Sequence, residues 1–153
     1  MPIHTPETVP RDGSDDADAP CGPFEALLYS DSGGLTQFGA FVEILPPGSA
    51  SSLLHWHAEE DEMIFVLQGR IDLHEGDRVT TLAPELAATF KAGVATGHRL
   101  VIRSDAPARY LVIGTRSDQD RVTYPAHDRI LHHDRTTKSR HYTTLAGLPA
   151  DKP

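Results

Sequence analysis

Apolar and polar residues change over along this chain in short beats. Residues 24–29 (Phe-Glu-Ala-Leu-Leu-Tyr) form a β-rich run that ends at a Ser-Asp-Ser-Gly-Gly turn over 30–34. A second run over 36–45 is stopped by Pro46-Pro47-Gly48, because proline cannot donate to a sheet ladder. Short strands are predicted next over 53–57 and 62–67, the latter closed by Gln68-Gly69. Residues 70–74 and 78–82 flank a tight Glu75-Gly76-Asp77 turn, and 87–90, 98–102 and 108–115 complete the series. About nine short strands, with turn signals every ~8–12 residues, are the pattern of an all-β sandwich or barrel. No long stretch carries a 3.6-residue period; residues 85–89 hold one helical turn at most.

The two ends have a different texture. Residues 7–23 concentrate Asp12, Asp15, Asp16 and Asp18 among prolines and glycines, and Val9 is their one bulky aliphatic. Such a stretch buries too little apolar surface to offset its ordering entropy, so 1–23 is predicted to be a flexible arm. Residues 24–117 form the barrel. Residues 118–153, polar and carrying Arg121, Arg129, Arg135, Lys138 and Arg140, are expected to be a C-terminal extension that packs on the barrel or on a partner subunit.

Composition narrows the class. A chain of 153 residues is one domain by length and long enough for its own core. A net charge of −8 argues against nucleic acid and against anionic membranes as partners. Cys21 is the single cysteine, so no disulfide forms within the chain, which suits a reducing compartment. There is no apolar run long enough to span a bilayer, and the first residues lack the basic and apolar regions of a signal peptide. A cytoplasmic protein is expected.

Chemistry concentrates in Leu54-His55-Trp56-His57-Ala58-Glu59-Glu60-Asp61-Glu62. Side chains at i and i+2 of a strand share a face, so His55 and His57 project together. Residues 58–61 turn the chain back, and Glu62 opens the returning strand on the same side. Two imidazoles and a carboxylate make a facial ligand set, and His98, after the loop 93–97, is placed to be a fourth ligand. Three neutral imidazoles and one carboxylate around one divalent ion leave a charge near +1, which favours an anionic or enolisable ligand. A donor set without sulfur suits Fe, Mn, Ni, Cu or Zn. Ile64, Val66, Leu100 and Ile102 share faces with Glu62 and His98 and should line the interior. Met63, Phe65 and Leu67 face the other way, as for sheet packing or a homodimer interface. Arg99 and Tyr110 are the polar candidates nearest the mouth. His4, His74, His127, His132, His133 and His141 are read as ordinary surface histidines.

These spacings resemble the first cupin motif. Gly48, six residues, His55-x-His57, four residues, Glu62, six residues and Gly69 stand beside the usual Gly, five residues, His-x-His, three or four residues, Glu, six residues, Gly. Residues 90–98, ending at His98, resemble the second motif. Lys91 stands where that motif has proline, two extra residues separate Gly93 from His98, and Ile102 occupies the asparagine position. The chain is similar to small single-domain bacterial members with His-Trp-His, Glu-Asp-Glu and an Ala-Arg-Tyr-Leu strand, here at 108–116. The resemblance implies a double-stranded β-helix (jelly-roll) barrel and one divalent metal ion on His55, His57, Glu62 and His98. Two functional classes follow. One is a metalloenzyme of dioxygenase, isomerase or decarboxylase type acting on a small organic acid or diol. The other is a non-catalytic barrel that binds or senses a small molecule. No general base is evident from the sequence, and a homodimer is expected.

Overall fold

Because successive side chains of a strand point to opposite faces, an antiparallel pair of sheets needs only every second residue to be apolar. The computed structural model describes residues 2–153. Its strands in chain order are β1 (Arg11–Ser14), β2 (Phe24–Leu27), β3 (Phe38–Leu45), β4 (Trp56–His57), β5 (Glu62–Gln68), β6 (Ile71–Glu75), β7 (Arg78–Leu82) and β8 (Ala87–Phe90). They continue as β9 (His98–Val101), β10 (Ala108–Thr115), β11 (Gln119–Tyr124), β12 (Arg129–Asp134), β13 (Ser139–Thr143) and β14 (Pro149–Ala150). One turn of helix, α1 (Tyr29–Ser32), lies where the sequence suggested a turn.

Three sheets result. The largest runs β1-β2-β3-β10-β5-β8, the smallest β7-β6-β9, and a third β14-β13-β12-β11-β4. The first two enclose the core. Leu45, Ile64, Val66, Tyr110 and Val112 come from the large sheet. Ile71, Leu73, Leu82 and Leu100, with Ile102 just beyond β9, come from the small one. Ile64, Val66, Leu100 and Ile102 are each 3% exposed or less, on the interior faces that period-two counting predicts. Where β5 ends, Gly69 turns the chain at φ +84°, and a Cβ there would stand 2.7 Å from the Pro107 carbonyl oxygen. Only glycine meets both conditions.

Both ends carry strands. In residues 1–23, β1 pairs with β2, and Val9 packs with Leu27 and Val42 on the outer face of the large sheet. Val9, the one bulky aliphatic of residues 7–23, is thus buried. In residues 118–153, β11 to β14 extend a sheet whose far strand is β4, through Val122 opposite His57 and Thr123 opposite Trp56. Val122 and Leu131 turn inward, whereas Arg121, Gln119 and Ser139 stay exposed. Those polar residues hide the strand signal at the level of composition.

Candidate metal centre

Backbone pairing brings the histidines together before any side chain acts. His55 and His98 form an antiparallel bridge, exchanging hydrogen bonds of 3.2 and 2.8 Å. His57 is fixed on the other side by β11, and its carbonyl accepts from Gly93 N at 2.9 Å. Glu62 opens β5 opposite Gly114 of β10 and Phe90 of β8. The four residues named from the sequence therefore converge at one end of the barrel.

Ligand atoms of His55, Glu62 and His98 all lie within 4.8 Å of one another. His57 joins through Glu62: its Nε2 is 3.9 Å from Oε2, while His98 Nε2 is 3.6 Å from Oε1. Both gaps exceed an N–H···O hydrogen bond, so the groups face one another across a shared space rather than bonding directly. The ring centroid of His55 is 5.1 Å from that of His57 and 4.8 Å from that of His98. Phe90 stacks on His98 at 3.6 Å and 4°, which pins the ring.

Outer partners set the tautomers. His57 Nδ1 donates to Asp120 Oδ2 at 2.6 Å; an ionised carboxylate only accepts, so the proton sits on Nδ1 and the Nε2 lone pair faces Glu62. His55 Nδ1 donates to the Leu53 carbonyl at 2.9 Å, with Ser52 Oγ 3.0 Å away. That leaves His55 Nε2 as an acceptor. Among the described residues His98 Nε2 is buried and finds no hydrogen-bond partner. A buried, unpartnered nitrogen turned towards a carboxylate and two imidazoles is the environment of a metal ligand, and the N₃O donor set fits a divalent first-row metal.

Charge follows the same plan. Burial, then the neighbouring imidazoles of His98 and His57, lower the His55 pKa to about 4, so this ring is neutral at pH 7. Burial pulls His57 down as well, but the Asp120 carboxylate outweighs it and the net shift is upward. Burial pushes the Glu62 carboxyl up, yet the imidazole of His98 facing it, then those of His55 and His57, hold it below its ordinary value. Asp120 is kept ionised by His57 and by Glu59 N, despite burial. A second cluster, His57 with Glu60 and Asp120, is already satisfied. Glu60 takes hydrogen bonds from Arg135 at 2.9–3.2 Å and from Ser117 N at 2.9 Å. Asp120 takes them from His57 and from Glu59 N.

Two cavities of about 170 Å³ each flank the cluster. The inner one is walled by His55, Glu62, His98, Glu43, Tyr110 and Ser52 together with apolar core residues. The outer one opens past Trp56, His57, His98, Thr89 and Lys91. Tyr110, singled out in the sequence, lines the inner cavity. Arg99 pairs in register with His74 on β6 and lines neither cavity. A larger open cleft of about 620 Å³ lies over β11 to β13, where His132 stacks on His141 at 4.7 Å; of the four clustered residues none lines it. Sequence reasoning missed Asp120 and Glu43. Nothing local marks Asp120, which is 63 residues from His57. Glu43 did leave a trace, as the lone carboxylate between Phe41 and Leu45 on the inward face of β3.

Comparison with known proteins fits this geometry. Residues 41–114 match the model of the cupin domain. A sugar phosphate isomerase of the cupin superfamily from Silicibacter pomeroyi is 33% identical, with a TM-score of 0.87 over 98% of this chain and 97% of that one. The chain belongs to the cupin superfamily. Its barrel is the double-stranded β-helix that the strand pattern and motifs led one to expect. A candidate sugar phosphate isomerase from Acidithiobacillus ferrooxidans is 25% identical, with a TM-score of 0.78 over 88% and 84% of the two chains. A cupin-2 domain protein from Rhodospirillum rubrum, at 20% identity, 82% coverage of each chain and a TM-score of 0.64, shares the fold. No curated protein matches in sequence. Among the described residues no helix is long and apolar enough to cross a membrane.

Proposed function

We propose that this cupin is a divalent-metal-dependent isomerase of small polyhydroxy carbonyl compounds, with His55, His57, Glu62 and His98 holding the ion. The observation that carries the reading is the inner cavity. Three of the four ligand residues form one wall, and Glu43, Tyr110 and the serine hydroxyl of Ser52 supply polar groups to an otherwise apolar chamber. At about 170 Å³ it falls below the volume of drug-sized sites and suits a short sugar. Near-full-length likeness to a sugar phosphate isomerase at 33% identity supports the same class.

When bound, the metal polarises a carbonyl or hydroxyl oxygen of the substrate and stabilises developing negative charge. The chain's own residues do the rest. Phe90 and the His55–His98 bridge hold the ring of ligands rigid. Ile64, Leu100 and Val112 exclude water from the inner wall. Lys91, on the rim of the outer cavity and across His98 from the inner one, would be the cation available to a terminal phosphate.

The test is a screen of protein loaded with manganese, iron or zinc against aldoses of four to six carbons and their terminal phosphates, followed by NMR. Interconversion of aldose and ketose, lost in His55→Ala/His57→Ala protein, supports the reading. Binding of sugars without turnover by fully loaded protein contradicts it and leaves a ligand-binding barrel.

A further inference from the structure

Glu43 is out of place in its own strand. On β3 the inward positions are Phe41, Glu43 and Leu45; Leu45 is fully buried and Phe41 packs on the core. Glu43 itself is 8% exposed. Burying a carboxyl where an aliphatic fits costs several kcal/mol unless a partner compensates. Among the described residues no lysine, arginine or histidine stands within ion-pair distance of it. Its partner is the fully buried Tyr110, opposite in register on β10, whose hydroxyl donates to Glu43 Oε2. One carboxylate oxygen is thereby held, and Glu43 lines the cavity that it shares with His55, Glu62 and His98.

We propose that the Glu43 carboxyl, held by the Tyr110 hydroxyl, is the proton carrier of this site. The inference rests on the isomerase reading and names the acid–base group which that reading lacked. As carboxylate, Glu43 removes the proton from the hydroxyl-bearing carbon beside the carbonyl; as acid, it returns that proton to the former carbonyl carbon. The hydroxyl proton crosses between the two oxygens, so nothing is oxidised or reduced in the net change. Such a carrier works best with an affinity for protons near the working pH. Burial, only partly countered by the Tyr110 hydrogen bond, raises the Glu43 pKa to about 7. Burial pushes the Tyr110 hydroxyl far above its usual range, so it remains a donor throughout. The groups that face Glu43 are Tyr110 from β10, Glu62 from β5, Cys21 from the N-terminal segment and, across the cavity, His55 and His98. On β2 its neighbour is Ala26. A cation at the ligand cluster shifts Glu43 downward.

The experiment compares manganese-loaded wild type with E43Q and Y110F in D₂O, using glucose 6-phosphate, ribose 5-phosphate and the free sugars as probes. Exchange of the proton beside the carbonyl is read by NMR. E43Q is expected to lose roughly 100-fold or more of the exchange rate while keeping one ion per chain and its thermal midpoint. Y110F, lacking the donor that favours the carboxylate, should move the pH midpoint of exchange upward. Exchange by E43Q within tenfold of wild type overturns the proposal. If wild type exchanges none of the probes, the isomerase reading fails, and infrared spectroscopy still decides the proton carrier. A protonated-carboxyl band that titrates near neutral pH and vanishes in E43Q supports it. A spectrum with no such band between pH 5 and 9 overturns it.

Discussion

Replacing Asp120 with asparagine changes one atom in a side chain that is 2% exposed, yet it should weaken metal binding strongly. The carboxylate has two acceptor tasks: Oδ2 takes His57 Nδ1–H at 2.6 Å and Oδ1 takes Glu59 N–H at 2.9 Å. Asparagine offers one acceptor and one donor. If its carbonyl stays on Glu59 N–H, its amide faces His57 Nδ1 and forces the imidazole proton onto Nε2, the nitrogen turned towards Glu62. If it flips, donor meets donor at Glu59, an unmade buried hydrogen bond worth about 1–3 kcal/mol. Loss of such an outer-shell carboxylate typically lowers metal affinity about 10–100-fold, or roughly 1.4–2.7 kcal/mol. Competition between D120N protein and a fluorescent chelator for Mn(II) or Zn(II) at pH 7.5 measures it, with circular dichroism as the control for folding. Affinity within twofold of wild type refutes the argument that Asp120 sets the His57 tautomer.

Acid should destabilise the metal-free protein in a defined window. His55 titrates at about 4 when folded and near 6.5 when unfolded, so between those values the unfolded chain binds more protons and stability falls as pH falls. The loss is of order 3 kcal/mol; His57, shifted upward, titrates above this window. Urea midpoints at pH 7 and pH 4.5 should differ by less in His55→Asn protein, and equal differences would remove His55 as the cause. Gly69→Ala should cost at least about 3 kcal/mol or prevent folding, since it combines a left-handed φ with a backbone clash; a thermal midpoint within a few degrees of wild type contradicts that. Arg135→Ala leaves the buried Glu60 carboxylate without its two-pronged partner and should cost about 1–2 kcal/mol, much of it recovered in the double variant with Glu60→Gln; urea unfolding reads both.

The parts of this protein that were legible in its sequence are those written in local spacing. The His55-x-His57 pair and Glu62 lie on one hairpin, so strand alternation and a four-residue turn suffice to bring them together. The interior faces of β5 and β9 follow from the same period of two. Long-range pairings left no such trace. Asp120 reaches His57 only because β11 pairs with β4 across more than sixty residues, and the short β4 gives no hint of that partner. The strands of residues 118–153 were masked because most of their outward residues are charged or polar, two of the buried ones, Asp120 and Thr123, are polar as well, and Val122 and Leu131 are their buried aliphatics. Glu43 was readable in principle, as a carboxylate in an apolar register, but the strand had to be assigned and its inward face known before the anomaly could be seen.

The most direct test is the metal content of protein purified without an affinity tag, measured by elemental analysis before and after reconstitution. One divalent first-row ion per chain, abolished in His55→Ala/His57→Ala protein that remains folded, is the result that four converging ligands and the unpartnered His98 Nε2 predict. No bound ion after incubation with iron, manganese, nickel, copper and zinc, or full retention of metal by the double variant, would contradict it.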